Sequence, residues 1–218
     1  MEFQTESGNN WQEDFQGLLD RRDTDIEGFL YRWFTSTTSL DFVIEHVHEL
    51  RACQLFEQGL LCAWVDAKTN IRNWTRGFTR GIFSLCDRDR LLAAGQPLPG
   101  LGPFTIYRGV AGKGAARRKR GISWTSSIAR ARWFAAWYVD RYKLSDPSVY
   151  RTVVEKKQVL AYSDDRKEEE FLVLLPSNHR IELFERLSDT AVAESLDAEL
   201  KRVRQELKEL LSRRTSPK

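Results

Sequence analysis

The chain has 218 residues, of which 41% are hydrophobic and 30% are charged, and its formal net charge is +3 at pH 7. A net charge this small gives no support by itself for a nucleic-acid partner. Cys53, Cys62 and Cys86 have no paired spacing, which argues against a disulfide framework and a metal site and predicts a reducing, cytoplasmic location. No apolar run is long enough to span a bilayer and the polar N-terminus lacks a signal peptide, so we expect no membrane partner.

In chain order, the sequence divides into four segments. Residues 1–22 are polar and are predicted to be flexible. Residues 23–100 carry aromatic clusters at helical spacing and end in a run rich in Gly and Pro, which predicts a helical subdomain followed by a linker. Residues 101–187 predict a mainly antiparallel α+β core, and residues 188–218 predict an amphipathic helix and a tail.

The predicted core contains six strands and one long internal helix. The helix is expected from Ala129 to Arg141, directly after the second strand. The strands are expected near residues 103–108, 121–125, 148–155, 157–162, 169–175 and 180–185.

The C-terminal helix carries an apolar stripe at alternating spacings of four and three residues, formed by Leu196, Leu200, Val203, Leu207 and Leu210. About two heptads are marginal for an independent coiled coil, so we predict that the stripe packs back on the domain. Dimerisation, or a docking surface for an inhibitory partner protein, is the alternative.

Two predicted strands of the core carry patterned polar side chains. The first ends in Tyr107-Arg108-Gly109, and the second contains Ser123-Trp124-Thr125. Because side chains alternate between the two faces of a strand, Ser123 and Thr125 share one face. This pattern predicts a hydroxyl-bearing face, or more simply a strand that leads into the N-cap of the next helix.

A third strand is preceded by three carboxylates. Glu168, Glu169 and Glu170 run into the segment 171–175, which is apolar on both faces and typical of a central strand. Strand alternation places Glu168 and Glu170 on the same side. Carboxylates beside a core strand are costly unless they act on a cation or a developing cation, so we predict a catalytic pair, with a solvated acidic turn as the alternative.

The order of these motifs resembles the Arg–Ser–Glu class of ADP-ribosyltransferases over residues 104–185. The signature of that family is an aromatic-Arg strand, a Ser-Thr-Ser strand and a Glu-x-Glu loop and strand; here the middle motif reads Ser-Trp-Thr. The resemblance implies an ADP-ribosyltransferase-like α+β fold. Its two mainly antiparallel sheets would form an NAD cleft, with an N-terminal helical subdomain and a C-terminal helix.

The resemblance also implies a role for each matching residue. Glu170 would stabilise the cation that forms as nicotinamide leaves NAD, Glu168 would position or deprotonate the acceptor, and Ser123 would orient Glu170. Arg108 would hold the phosphates of NAD. The other residues implied for NAD binding are Tyr107, Gly109 and Thr125, and those implied for acceptor recognition, besides Glu168, are Tyr162 and Arg166.

The implied function is NAD-dependent mono-ADP-ribosylation of a macromolecule, either a protein side chain or a nucleic acid. Small cytosolic enzymes of this kind resemble bacterial toxins, including toxin–antitoxin and phage-defence effectors. Alternatives are an NAD glycohydrolase with water as acceptor, and a non-catalytic RNA-binding module. The RNA-binding alternative would use a basic run, although a solvated loop is the simpler interpretation, at Lys113, Arg117, Arg118, Lys119 and Arg120.

Overall fold

A computed structural model of the chain describes residues 10–21, 25–67, 75–114 and 117–215. These residues divide into two compact units, one within residues 1–97 and the other within residues 98–218. Within the described ranges, no helix combines the length and the apolar character needed to cross a membrane.

All of the regular structure described in the first unit is helical. The helices are α1 (Trp11–Arg21), α2 (Ile26–Trp33), α3 (Ser39–Glu45), α4 (Val47–Ala52), α5 (Phe56–Asp66), α6 (Arg76–Ser84) and α7 (Arg88–Ala94). Helix α5 lies at the centre of this unit, because most of its side chains are buried and it contacts α2, α3, α4 and α7.

Helix α1 corrects the prediction of a flexible segment over residues 1–22. The Trp11 and Phe15 rings pack edge-on against the ring of Phe42, with centroid distances of 5.7 and 5.0 Å. Two aromatic side chains one helical turn apart therefore fix a segment whose other residues are mostly polar. The remaining residues of that prediction, 1–9 and 22, lie outside the described residues, and residue 10 precedes the helix.

The described residues of the second unit form six strands, two α-helices and a short 3-10 helix (Lys156–Gln158), and every strand begins and ends within two residues of its predicted limits. The strands are β1 (Phe104–Val110), β2 (Ser123–Thr125), β3 (Ser148–Val154), β4 (Val159–Ser163), β5 (Glu170–Val173) and β6 (Glu182–Arg186). The helices are α8 (Ile128–Tyr142) and α9 (Asp189–Thr215).

The six strands form one antiparallel sheet in the order β4-β5-β2-β1-β3-β6, where two sheets were expected. The short strand β2 accounts for the difference. It pairs with β5 through Trp124 and Phe171 and with β1 through Thr125 and Tyr107, so it joins the two halves into a single hydrogen-bonded sheet. The protein is therefore an α+β protein built on a continuous antiparallel sheet.

The strand register divides the predicted site residues between the two faces of the sheet. Paired residues on neighbouring strands point the same way, so Tyr107, Thr125 and Glu170 share one face. Helix α8 packs on this face of β1, where Gly109 lies against its backbone. The opposite face carries the apolar core, formed by Ile106, Val110, Trp124, Tyr150, Val154, Val159, Tyr162, Phe171, Val173 and Leu175.

Helix α9 corrects the prediction for the apolar stripe. Its N-terminal half packs on α8, but the stripe beyond Leu196 does not pack back on the domain. The side chains of Leu200, Val203 and Leu207 are about half exposed, and that of Leu210 lies outside the described residues. The contacts of this helix with the rest of the unit include two ion pairs, Arg130 with Glu199 and Lys167 with Glu206.

Candidate active site

Glu170 is the buried carboxylate of the predicted site. It opens strand β5, pairs in register with Thr125 of β2 and is 8% exposed. All four residues of β5 are buried between β4 and β2, which confirms the predicted central strand. The carboxylate thus lies at the entrance to the core, where an ionised group needs a partner.

The electrostatics of Glu170 follow from this position. Burial, together with a smaller effect of the charge of Glu168, raises the pKa of Glu170 to about 7. A hydrogen bond with Ser123 and the charges of Arg166 and Arg108 oppose this shift and keep the pKa from rising higher. Oxygen Oε2 of Glu170 is buried and has no hydrogen-bond partner among the described residues. The structure therefore brings Ser123 and Glu170 together as predicted. Oε2 of Glu170 can accept a hydrogen bond from a ligand.

Glu168 lies near Glu170, but the backbone conformation that brings it there is not the predicted strand. Strand β5 begins only at Glu170, and both Lys167 (φ 54°) and Glu169 (φ 47°) adopt left-handed backbone angles. Strand alternation consequently does not apply to residues 168 and 169. The Glu169 carboxylate turns instead to the hydroxyl of Ser126, while that of Glu168 lies near Glu170 and raises its pKa.

The turn before β5 is held by Arg130 of α8. Its Nε donates to the carbonyl of Lys167 at 3.2 Å, and its Nη2 lies 3.5 Å from the carbonyl of Arg166. Its Nη1 pairs with Glu199 of α9 at 2.9 Å. A second bridge joins the Lys167 ammonium to Glu206 at 2.9 Å. The turn is therefore held by α8, which precedes it in the chain, and by α9, which follows it.

Sequence reasoning missed Arg130, Glu199 and Glu206, although Arg130 carried one signal. A cation in the first turn of a helix is opposed by the helix dipole, and Arg130 is the third residue of α8. Such a residue needs a compensating partner, which here is Glu199. The partner itself leaves no local pattern in the sequence.

Replacing Glu199 with alanine is expected to loosen the turn over residues 164–170. The change removes the partner of the buried Arg130 guanidinium, and hydrogen bonds to charged groups contribute about 1.5–3 kcal/mol. Amide hydrogen exchange of this segment should accelerate by about 10- to 150-fold. Asp197→Ala is the matched control, since Asp197 pairs with exposed Lys201 on the same helix. Equal exchange in the two variants would contradict the prediction.

Arg108 is committed mainly to the protein backbone. Its Nε donates to the carbonyl of Arg118 at 2.9 Å, its Nη1 donates to the carbonyl of Ser123, and its guanidinium lies directly against Gly121. Burial lowers the pKa of Arg108, while Tyr138 and Glu170 raise it. The guanidinium ties the loop before β2 to the sheet, and its charge reaches the Glu170 carboxylate.

Three further residues implied for NAD binding have structural partners. The Thr125 hydroxyl donates to the carbonyl of Glu168 at 2.6 Å and so ties β2 to the turn. The Tyr107 ring packs on Phe184 with a centroid distance of 5.3 Å. Gly109 allows α8 to approach β1 closely. Thr125 is thus part of the site, whereas Gly109 serves the packing of the helix.

Of the two other residues predicted for acceptor recognition, one lies in the site and one does not. Arg166 lies in the site, because its Nη2 is 2.9 Å from Oε2 of Glu168. Tyr162 does not offer its ring to a macromolecule: it is 7% exposed and packs in the core on Phe171, with a centroid distance of 4.9 Å. Strand β4 places Tyr162 opposite Phe171, so the tyrosine points into the apolar face of the sheet.

The basic run is largely occupied by structural contacts. Arg117 bridges Asp146 at 2.5 Å, and Arg120 donates to the carbonyls of Pro176 and His179, both at 2.8 Å. The Lys119 ammonium lies 5.8 Å from the centroid of the Tyr150 ring. These contacts favour a folded loop over a surface that binds RNA.

A cleft of about 360 Å³ lies elsewhere on the sheet and contains none of the predicted site residues. Its two arginines are both paired with Glu182, Arg151 at 2.9 Å and Arg180 at 2.6 Å. Its lining consists of Thr105, Arg151, Thr152, Val153, His179, Arg180 and Glu182.

Comparison of the chain with protein-family models, with curated proteins and with solved structures finds no match.

Proposed function

We propose that the chain is an NAD-dependent mono-ADP-ribosyltransferase that transfers ADP-ribose to a macromolecule and releases nicotinamide. The observation that carries this proposal is Glu170, a buried carboxylate held by Ser123 and flanked by Glu168, with one oxygen lacking a partner among the described residues. A buried carboxylate with a raised pKa and a specific set of charged neighbours is typical of a functional site.

The chemistry of these residues suits the cleavage of a cationic glycosidic bond. Loss of neutral nicotinamide from NAD leaves positive charge on the ribose, and a preorganised carboxylate at Glu170 favours that charge. Oε2 of Glu170, which has no partner among the residues that the structure describes, can accept a hydrogen bond from a ribose hydroxyl. In this proposal Glu168 positions or deprotonates the acceptor. Arg108, whose Nε and Nη1 donate to backbone carbonyls, contributes its positive charge to the site and leaves the NAD phosphates to be held by other groups.

The biological setting is part of the proposal and rests on the family resemblance alone. It comprises a toxin or phage-defence role, a cytoplasmic location and an inhibitory partner protein. The acceptor is a protein side chain or a nucleic acid.

The test is nicotinamide release from NAD by the purified protein in the presence of cell extract, compared with Glu170→Ala. Parallel reactions with labelled NAD, digested with protease or RNase, identify the polymer that carries the label. Free ADP-ribose as the sole product would indicate a glycohydrolase. No release, together with salt-sensitive RNA binding that Glu170→Ala leaves unchanged, would indicate an RNA-binding module.

The rate of NAD cleavage is expected to rise with pH through about 7, because Glu170 must be ionised to stabilise a cation and burial raises its pKa to about 7. Glu168→Gln removes a like charge and should move this midpoint to lower pH. Asp165→Asn, an exposed change in the same turn, should leave the midpoint in place. The measurement is the pH dependence of nicotinamide release with water as acceptor. A midpoint that moves upward in Glu168→Gln would contradict the assignment.

A further inference from the structure

The cleft at the start of β6 contains one carboxylate held between two guanidinium groups. Nη2 of Arg151 lies 2.9 Å from Oε2 of Glu182, and Nη2 of Arg180 lies 2.6 Å from Oε1 of the same residue. Arg151 and Glu182 are paired in register on β3 and β6, so their side chains share one face of the sheet. Among the residues that line the cleft, two arginines therefore face a single negative charge.

One wall of the cleft is fixed by hydrogen bonds to Thr152, which is buried in β3. The Thr152 hydroxyl donates its only proton to the carbonyl of Arg180 at 2.7 Å. Nε2 of His179, 2.8 Å from the same hydroxyl oxygen, is then the donor in that second contact. The segment that carries His179 and Arg180 is thus tied to the sheet, and the cleft is preformed.

The Glu182 carboxylate can be displaced from its position by a ligand. The exposed fractions of the three side chains are 43% for Arg151, 36% for Glu182 and 87% for Arg180, and ion pairs this exposed contribute little to stability. A terminal phosphate carries a charge of about −1.5 to −2 at neutral pH and three acceptor oxygens, more than a carboxylate offers to two guanidinium groups. A phosphodiester has only one charge and lacks this advantage.

Apolar groups lie beside the two arginines. The Phe184 ring is 39% exposed, and its centroid lies 5.6 Å from the Arg151 guanidinium carbon. Val153 lines the cleft and is 51% exposed. The cleft volume of about 360 Å³ falls in the range of small-molecule sites. An exposed ring beside a pair of cations suits a flat base attached to a phosphate, because bases stack on aromatic side chains.

We propose that this cleft binds a nucleoside monophosphate. The terminal phosphate lies between Arg151 and Arg180 in place of the Glu182 carboxylate, which turns to solvent, and the base contacts Phe184 and Val153. The site is distinct from the one around Glu170, so it stands or falls independently of NAD cleavage.

The experiment is isothermal titration calorimetry of the full chain with AMP. We expect saturable binding of one AMP per chain, and Arg151→Gln should weaken it by about tenfold or more. Glu182→Gln should tighten it several-fold, because the competing charge is removed; a variant that merely disturbs the fold would not bind more tightly. Arg186→Gln, a change at an exposed arginine of β6 outside the lining, is the matched control and should leave the affinity unchanged.

Three further ligands and one variant test the parts of the proposal. Inorganic phosphate and adenosine should each bind more weakly than AMP; adenosine binding as tightly as AMP would overturn the role of the arginines. Phosphoserine binding as tightly as AMP would overturn the contact with the base. AMP binding that is lost in Glu170→Gln but kept in Arg151→Gln would place the ligand in the other site and overturn the proposal. No binding of AMP by the wild type or by Glu182→Gln would overturn it outright.

Discussion

Glu170→Gln is expected to lower the rate of NAD cleavage by about 10²–10³-fold, the effect of losing one preorganised electrostatic contact in a partly dry site. Glutamine keeps the shape of the side chain and can still pair with Ser123, but it carries no charge to favour a cationic ribose. The loss should appear in the single-turnover rate with saturating NAD, because that rate reports the chemical step.

The same variant is expected to fold at least as well as the wild type. Burial raises the pKa of Glu170 from an ordinary value of 4.5 to about 7. A raised carboxyl pKa contributes stability below the ordinary value, and that contribution is lost as the pH rises through about 7. Above that pH a neutral amide removes a buried charge, so the melting temperature should stay or rise.

The control for Glu170→Gln is Glu185→Gln on strand β6, which removes a carboxylate from the same sheet that is paired with Arg132 at 2.8 Å. It should change the cleavage rate little. A loss in Glu170→Gln smaller than about tenfold, or about 1.4 kcal/mol, would contradict the assigned role.

Gly109→Ala is expected to destabilise the second unit by about 3 kcal/mol or more, at the upper end of the range for overpacking. The added Cβ would overlap the carbonyl oxygen of Ala131 and lie 2.7 Å from the nitrogen of Ala135. Both are backbone atoms of α8, which cannot rotate away as a side chain can. The whole helix would have to move from β1, and native stabilities are only about 5–15 kcal/mol.

The control for Gly109→Ala is Gly81→Ala in helix α6, where a Cβ would meet no atom within 4 Å. That change should stabilise the protein by about 0.5–1 kcal/mol, because it reduces the backbone freedom of the unfolded chain. The measurement is equilibrium unfolding in urea followed by tryptophan fluorescence and circular dichroism. A Gly109→Ala protein within about 1 kcal/mol of wild type would contradict the role of this glycine in packing.

The sequence predicted those features of the fold that have local causes. The apolar run from Phe171 onward and the turn residues before it predicted β5, and the other strands were marked in the same way. The prediction of two sheets was wrong because β2 pairs with both β1 and β5. This pairing depends on the strand register, which cannot be inferred from a local sequence pattern. Helix α1 was missed because Trp11 and Phe15 pack on Phe42, a residue distant in the chain.

The candidate site was predictable to a similar extent. Ser123 and Glu170 meet because both lie on strands that pair. The local patterns predicted the two strands, whereas the contact between the two residues was expected only from the family resemblance. The position of Glu168 depends on left-handed angles at Lys167 and Glu169, residue types for which the sequence predicts no such angle. The anchor formed by Arg130 and Glu199 joins two helices far apart in sequence, so it becomes visible only in the folded protein.

The Arg130–Glu199 ion pair also depends on the order in which the chain is synthesised. Glu199 and Glu206 are made after every residue of the sheet, so a chain still being synthesised contains Arg108, Ser123, Glu168 and Glu170 before it contains the groups that hold their turn. The Arg130 guanidinium has no carboxylate of α9 to pair with until that helix has formed. A chain released before residue 199 would therefore carry all the predicted catalytic residues on a turn that lacks its contacts with α9, and only synthesis past residue 206 completes those contacts.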